Sequence, residues 1–562
     1  MKGQVLRVRW LGRVRYRDAL ALQHALHRRG QEQHLLLLEH PHVYTLGVRA
    51  RPEHVLEDPS LAGAELVRAD RGGDVTYHGP GQLVGYPVVS VPMGPAAVPR
   101  YVHAIEQLVI DALDELGLRG AGRVEGRPGV WIDPGGAERK VCAIGVRVAR
   151  GRAMHGFALN VSPDLSMFDR IVPCGIADRP VTSLAAEGLA VSMEDVVSVI
   201  VRHSPRLLER AGLGGPVRVE RQDASGVVQV AKQDAPGASD GREAPGEAPG
   251  AGQRALGRRL AIAGVDPAGG LSLGARKPPW LRVQARMGEG YLSTAKTVRG
   301  LGLVTVCEEA GCPNIYECWA DGTATFMING ERCTRSCGFC LVDTRRPDPL
   351  DAGEPERVAE AVARMRLAHA VVTAVARDDL ADGGAAAFAA TIAAIRRRRP
   401  GTTVEVLIPD CKGEPEALRA IFDARPDVLN HNLETVLRLQ RAVRPQASYA
   451  RSLAVLGRAA AAGLRVKSGM ILGMGESVEE VQGALADLRS VGVEILTLGQ
   501  YLRPSAAHLP VARWWAPEEL AELREEALSM GFSHVEASPL ARSSYHARQA
   551  AAAASGRAAS IA

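Results

Sequence analysis

The sequence predicts an α/β protein of two domains. Three observations lead there. The chain has 562 residues, more than one ordinary core accommodates. A tract near its middle, QDAPGASDGREAPGEAPGAGQ, repeats APG and holds no large apolar residue. Beyond that tract, short apolar runs alternate with helical patterns, the signature of a parallel sheet. These readings give a front domain over 1–220, a flexible linker over 221–270 and a back domain over 271–549. The low-complexity residues 550–562 form a disordered tail.

The front domain has the pattern of a mixed sheet. HLLLLEH and QLVGYPVVSV are strands, and helices are expected at 99–117 and 192–212. In the back domain TFMI (325–328), AVVTAV (370–375), VEVLIP (404–409), DVLNHNLE (427–434), KSGMILG (467–473) and ILTLGQYL (495–502) are strands. EPERVAEAVARM carries apolar positions three and four apart, as a helix requires. Six β–α units in series favour a right-handed parallel barrel or part of one, with chemistry at the C-terminal strand ends.

Charge and composition exclude some classes. The formal net charge of +5 argues against bulk nucleic-acid binding. Residues 1–30 hold eight Lys or Arg against Asp18, which suits a solvated face or a basic surface for an acidic partner. The start lacks a signal-peptide core, and no window has the roughly 18 apolar residues of a membrane span. Nine cysteines, six of them between Cys307 and Cys340, point to metal ligation and nucleophilic chemistry in a reducing cytoplasm rather than to disulfides.

Four front segments stand out. RGGDVTYHGPGQ (71–82) is a Gly-rich loop that admits close backbone approach to a ligand. KVCAIG places Lys140 at the edge of an apolar run, HGFALNV places His155 before a small strand, and IVPCGI sets Cys174 between Pro173 and Gly175. Each has a bland reading: a common turn, a solvated strand end, a buried small hydrophobe. In this order and spacing, over roughly 30–185, they resemble the lipoyl(octanoyl)transferase family, whose mixed-sheet fold is of the biotin/lipoate protein ligase type. The resemblance implies Cys174 as acyl-accepting nucleophile and Lys140 as its partner, lowering the thiol pKa and shuttling the proton. It implies an acyl channel lined by Arg71, Gly72, Gly73, Asp74, Val75, Thr76, Tyr77 and His78, by Ala143, Ile144 and Gly145, and by Gly156, Phe157 and Ala158. The donor would be octanoyl-acyl carrier protein. The acceptors would be lipoyl domains of 2-oxoacid dehydrogenases and the glycine cleavage H protein. Cys142 is read as packing. The alternatives for this half are an ATP-using lipoate ligase, which needs no cysteine nucleophile, and an inactive carrier-binding domain.

The back domain carries two cysteine trios. CTRSCGFC (Cys333, Cys337, Cys340) has C-x3-C-x2-C spacing, which holds three irons of a [4Fe–4S] cluster and leaves the fourth open. A zinc knuckle would need a fourth Cys or His nearby. With Phe339 before the last cysteine, the motif is similar to that of radical S-adenosylmethionine enzymes. CEEAGCPNIYEC (Cys307, Cys312, Cys318) is the second trio. With RSSYHA (542–547), PPWLR, RDDLADGGA, VLIPD, NHNLETV and SGMILGMGE, it closely resembles lipoyl synthase over about 278–548. The implied fold is a partial (β/α)6 radical-SAM barrel.

The lipoyl synthase resemblance implies two [4Fe–4S] clusters and S-adenosyl-L-methionine. One cluster cleaves the cofactor to a deoxyadenosyl radical that abstracts hydrogen at C6 and C8 of a bound octanoyl chain. The other, held by the first trio and Ser544 (with Ser543 second), donates the two sulfurs. A seryl oxygen is a poor match for such an iron, so this corner is where the cluster opens. Asp382, Gly383 and Gly384 are implied at the cofactor, and Asn432, Glu434, Lys467 and Arg503 are further polar candidates. Cys411 is given no role. An electron donor such as ferredoxin or flavodoxin is implied, and no nucleic-acid or membrane partner. Rival classes are a sulfur-inserting enzyme acting on another acceptor and a two-cluster electron carrier with full cysteine ligation. Joining both halves through a tether would raise the effective concentration of the second site for the same carrier domain.

Overall fold

The computed structural model describes residues 4–30, 32–224, 251–266, 269–284, 286–320 and 324–554. The chain divides into two compact units, Met1–Ala224 and Ser225–Ala562. Most of the expected linker, 225–250, and the end of the expected tail, 555–562, lie outside the described residues. At the linker's edges, a strand runs to Asp223 and a helix spans Ala251–Ile262.

Among its described residues the front unit has eleven strands: β1 (Gln4–Arg13), β2 (Gln33–Glu39), β3 (Val43–Leu46), β4 (Glu65–Arg68), β5 (Val75–His78), β6 (Gln82–Val88), β7 (Ala121–Val124), β8 (Arg127–Ile132), β9 (Arg139–Ala149), β10 (Arg152–Asn160) and β11 (Val217–Asp223). Eight form one mixed sheet in the order β11-β1-β2-β6-β10-β9-β8-β7, and β4-β3-β5 form a second. The helices Ala97–Glu115 and Met193–Arg210 fall within two residues of their expected limits. Their apolar faces (Ile105, Leu108, Val109; Val196, Ile200, Leu207) share one core with Leu6, Leu35 and Leu83 of the sheet. Of the basic N-terminal run, Arg9 is internal rather than solvated and Arg7 is half-buried. Arg9 is 2% exposed and pairs with Glu220 of β11 at 3.0 Å, and Arg7 pairs with Glu32 at 3.1 Å.

Among its described residues the back unit has eight strands: β12 (Val304–Thr305), β13 (Thr325–Ile328), β14 (His369–Ala374), β15 (Thr403–Leu407), β16 (Val428–Asn430), β17 (Val466–Leu472), β18 (Ile495–Gln500) and β19 (His534–Ala537). They lie in sequence order, parallel from β13 to β19, with β12 antiparallel at the edge. The six expected strands are all present. β19 is a further one, too short and too polar (HVEA) to show a period.

Inside this sheet Lys467 pairs with Glu405 at 2.9 Å, both 1% exposed. Burial works to raise the Glu405 carboxyl, but the Lys467 ammonium, helped by the His369 ring, overrides it and holds the group below the ordinary glutamate range. Removing one partner of a buried pair leaves an uncompensated charge, so Lys467→Met is expected to destabilise the back unit by about 3–5 kcal/mol. Without the ammonium the buried carboxyl loses the largest of its lowering influences and rises from its wild-type position. The deficit seen in urea melts therefore grows as pH rises through the glutamate range and narrows below it. Lys467→Met/Glu405→Leu should recover most of the loss.

Candidate functional site

In the front unit, the residues singled out by sequence converge because β9 and β10 pair. Gly156 faces Gly145, Phe157 faces Ile144, and Ala158 faces Ala143. Both glycines are required by close approach. A Cβ at Gly145 would stand 2.9 Å from Gly72 O, and one at Gly156 would stand 2.2 Å from Gly85 O. The Gly-rich loop docks beside them, Gly72 N–H donating to Val146 O at 3.0 Å.

These segments surround a cavity of about 680 Å3, lined also by Lys140 and Cys174. Its walls include Arg71, Gly72, Gly73, Asp74, Thr76 and His78, and both AIG and GFA triplets. Val75 and Tyr77 of the expected channel do not line it. They point to the other face of β5, packed with Tyr44 and Phe168, because side chains alternate along a strand. Arg71 is buried and donates to Thr45 O at 2.6 Å and Gly72 O at 3.1 Å. His78 is wholly buried, which holds its imidazole well below the ordinary range, and its Nδ1 bonds Gln82 Oε1 at 2.8 Å.

Cys174 has φ +57°, the left-handed region, and Gly175 follows at +71°. A non-glycine residue held there is strained by roughly 1–3 kcal/mol, a feature that gathers at functional sites. Gly175 N–H to Val172 O and Ile176 N–H to Pro173 O, each at 3.0 Å, hold the turn. Lys140 is 6% exposed, its ammonium 5.1 Å from the centre of the Trp131 ring. Its backbone bonds Pro180 O and Thr182 N–H, which brings the chain just past Cys174 back across β9. Cys142 is buried in the core, and burial pushes its thiol up. Sequence reasoning missed Tyr16, His54, Tyr86 and Arg127, which also line the cavity. His54 lies in RPEH, where nothing in the local pattern distinguishes it from a surface histidine.

In the back unit a cavity of about 360 Å3 lies at the C-terminal ends of the strands, walled by Val375, Pro409, Asn432 and Tyr501. Cys333, Cys337, Cys340 and Phe339 line it, and so do Cys307, Cys312, Ser543 and Ser544. CTRSCGFC is fixed from several sides. Cys333 N–H donates to Asp343 O at 2.8 Å, Gly338 N–H to Val443 O at 2.8 Å, and His508 Nε2 bonds Cys340 O at 2.9 Å. Arg335 inside the motif is buried and forms ion pairs with Asp378 at 2.7 Å and Asp410 at 2.6 Å.

The other trio and the C-terminal serines meet through two tethers. Asn314 Nδ2 donates to Leu540 O at 2.8 Å, and Tyr545 Oη donates to Glu317 at 3.3 Å. Cys307, Cys312, Cys318 and Ser544 line one narrow recess with Arg542. Ser543 is engaged elsewhere: its Oγ accepts from Asn432 Nδ2 at 2.6 Å.

The donor set suits iron–sulfur ligation. Burial pushes the thiols of Cys307 and Cys340 up to about 11 and about 12, so their thiolates call for a compensating cation. Among the described residues no three Cys, His, Asp or Glu side chains converge on a single metal ion. Around a cluster each thiolate bonds its own iron, so such convergence is not needed. Asn432 Oδ1 and Arg444 Nε, both in residues lining the cavity, are buried without a protein partner, as a polar ligand would require.

Other expected residues lie elsewhere. Asp382, Gly383 and Gly384 do not line the cavity. Asp382 accepts from Gly384 N–H at 2.9 Å and Ala386 N–H at 2.8 Å, capping the helix Ala385–Arg398, and Gly383 packs on Cys411. Lys467 stands at the start of β17, the end away from the cavity, and Arg503 bonds the carbonyls of Ser505 and His508. Asn432 and Glu434 do line it. Arg444 and Arg542 were missed, although Arg542 directly precedes the two serines of RSSY.

Comparison with known proteins agrees with this division. The family model for the lipoyl protein ligase A/B catalytic domain matches residues 15–204, and that for the radical SAM superfamily matches 327–488. Lipoyl synthase from Rubrobacter xylanophilus is 58% identical over 275 residues, covering 49% of this chain and 86% of that protein. The Mycobacterium avium lipoyl synthase is 56% identical over 280 residues, covering 49% and 91%. Among solved structures, a bipartite lipoate protein ligase from Thermoplasma acidophilum has 21% identity and a TM-score of 0.33, covering 40% of this chain and 87% of that one. Methylornithine synthase has 14% identity and a TM-score of 0.31, covering 38% and 70%. The chain belongs to the lipoyl synthase family through its back unit, and its front unit is a catalytic domain of the lipoyl protein ligase A/B type.

Proposed function

We propose that the chain makes protein-bound lipoyl groups in two steps. The front unit takes an octanoyl group from acyl carrier protein onto Cys174 and passes it to a lysine of a lipoyl domain. The back unit then inserts sulfur at C6 and C8 of that chain.

In the front unit the Cys174 thiolate attacks the thioester carbonyl, and the carrier thiol leaves. Lys140, on the same cavity, stabilises the thiolate by its charge. Phe157 and Ile144 give the acyl chain apolar wall. A ligase that activates the free acid needs no thiol, whereas here a strained cysteine faces the cavity, which favours the thioester route.

In the back unit Cys333, Cys337 and Cys340 would hold one [4Fe–4S] cluster, and Cys307, Cys312, Cys318 and Ser544 a second. When bound, the first cluster with S-adenosylmethionine supplies radical hydrogen abstraction, and the second supplies sulfur. Asn432 and Arg444 offer unpartnered polar atoms to the cofactor's charged groups, and Val375, Pro409 and Tyr501 wall the site against water.

The observation that carries this reading is the meeting of Cys333, Cys337 and Cys340 with Cys307, Cys312 and Ser544 at one cavity on the strand ends, with Cys318 in the recess that shares Cys307, Cys312 and Ser544 with it. The test is mass spectrometry of a lipoyl domain incubated with the chain, octanoyl-acyl carrier protein, S-adenosylmethionine and reductant. An octanoyl adduct should appear first and a two-sulfur product later. A lipoyl domain that gains neither mass overturns the reading.

A further inference from the structure

The front cavity carries more positive charge than the thiol chemistry uses. Its lining holds the side chains of Arg49, Arg51, Arg71, Arg127 and Lys140. Three of these are engaged. Arg71 donates to Thr45 O and Gly72 O, Arg127 pairs with Asp178 at 3.1 Å, and the Lys140 ammonium lies against Trp131. Arg49 and Arg51 are exposed, and among the described residues no hydrogen bond or ion pair holds either guanidinium.

The loop that carries these two arginines is itself fixed. Val48 N–H donates to Arg71 O at 3.0 Å, Arg49 N–H to Gly73 O at 3.1 Å, and Arg51 N–H to Asp74 Oδ1 at 3.4 Å. These bonds tie the loop after β3 to the Gly-rich loop. The Gly-rich loop in turn reaches the nucleophile's turn, where a Cβ built at Gly175 would stand 2.9 Å from Asp74 Oδ2. The neighbouring acids leave the arginines unpaired. Asp74 Oδ2 lies 2.7 Å from His54 Nδ1, and its Oδ1 accepts from Val75 N–H at 2.6 Å. Glu53 is exposed and does not line the cavity, and Glu57 pairs with Arg170.

Two guanidinium groups left free at one cavity suit an anion, and arginine's planar fork fits the oxygens of a phosphate. The reaction brings one phosphate to this place. The acceptor enters as a lysine side chain, which carries no negative charge. The donor thioester hangs from a phosphopantetheine arm, whose charged group is a phosphodiester. That arm must enter the cavity for its thioester to meet Cys174, and the solvent-exposed part of the lining is where Arg49 and Arg51 stand.

We propose that Arg49 and Arg51 form an anion subsite that takes the phosphodiester of the donor's phosphopantetheine arm in the first half-reaction. The proposal rests on the acyl-transfer reading and adds to it the part of the donor that is recognised. The subsite holds the arm while Cys174 attacks the thioester, and it empties when the carrier thiol leaves. It acts on loading of Cys174, by lowering the donor concentration that loading requires. The two arginines take no part in the bond changes, which stay with Cys174 and Lys140.

The test compares two small donors that differ only by the phosphate, octanoyl-4′-phosphopantetheine and octanoyl-pantetheine, with octanoyl-acyl carrier protein as a third. The full chain is loaded from each, and the Cys174 thioester is followed by mass spectrometry. Wild type should reach half-maximal loading at about 10-fold less of the phosphorylated donor, an advantage that shrinks at high salt. In Arg49→Gln/Arg51→Gln the two half-saturating concentrations should converge, with the change in KM rather than in kcat. Arg49→Lys/Arg51→Lys should keep part of the preference, since the charge remains and the fork is lost. Equal use of both small donors by wild type overturns the proposal. So does a double Gln variant that keeps the wild-type preference. A chain that loads from the carrier protein but from neither small donor also overturns it, because the arm then adds no recognition of its own. Octanoyl-adenylate made from octanoate and ATP, and lost in the double Gln variant, assigns the arginines to a nucleotide and overturns it too. A wild-type chain that forms no thioester from any of the three donors sinks the acyl-transfer reading itself.

Discussion

Cys174→Ala should abolish octanoyl transfer to a lipoyl domain, by on the order of 10⁴-fold or more, since no other group replaces a covalent nucleophile. Cys142, the other thiol nearby, is buried in the core with its thiol pushed up, and offers no substitute. The same variant should still add sulfur to a lipoyl domain octanoylated beforehand, because its back unit is untouched. Cys174→Gly carries the argument further. The cysteine sits at φ +57°, where glycine is unstrained. Glycine there should therefore remove activity and yet stabilise the front unit by roughly 1 kcal/mol, a rise of about 2–4 °C in melting midpoint. Mass spectrometry of the acceptor domain and calorimetry check the two halves. Residual transfer above a few per cent in Cys174→Ala removes the thioester from the route.

Much of this arrangement is legible in the sequence, and the exceptions have identifiable causes. The strands β13 to β18 are runs of apolar residues bounded by polar ones, so their period and order read directly. The AIG and GFA triplets read as one wall, and pairing of β9 with β10 supplies the reason. Treating 71–78 as a continuous wall fails where the loop becomes strand, since alternation turns Val75 and Tyr77 into the core. Lys467 and Asp382 are ambiguous in a different way. A polar residue near a strand end is ambiguous until the strand's direction and the helix start are fixed. One proves to neutralise Glu405, and the other caps a helix. His54 could not be found by pattern, and Arg542, though it opens RSSY, is given no role there. Their surroundings, Asp74 and Gly175 for the first and Cys312 and Glu434 for the second, are assembled only by long-range contacts.

The largest expected effect in the back unit belongs to Ser544. RSSY offers two adjacent hydroxyls, and the structure gives them different surroundings. Ser543 Oγ accepts from Asn432 Nδ2 at 2.6 Å, while Ser544 shares a recess with Cys307, Cys312 and Cys318. Ser544→Ala should lower the iron and sulfide content of the reconstituted chain by up to half and cut sulfur insertion at least about 100-fold. Ser543→Ala should keep the full iron content, since its hydroxyl holds Asn432 rather than the trio. Deoxyadenosine release should persist in Ser544→Ala, because the CTRSCGFC loop is held by Asp343 at Cys333, Val443 at Gly338 and His508 at Cys340. Ser544→Cys sharpens the argument. A thiolate is the softer and better ligand for iron, so this variant should keep its iron longer against a chelator. If the seryl corner is where the cluster opens, the same variant should insert sulfur more slowly than wild type despite holding its cluster better. Retention and turnover moving in opposite directions would mark Ser544 as a ligand chosen for release. Both falling together, or neither changing, would place the fourth ligand elsewhere.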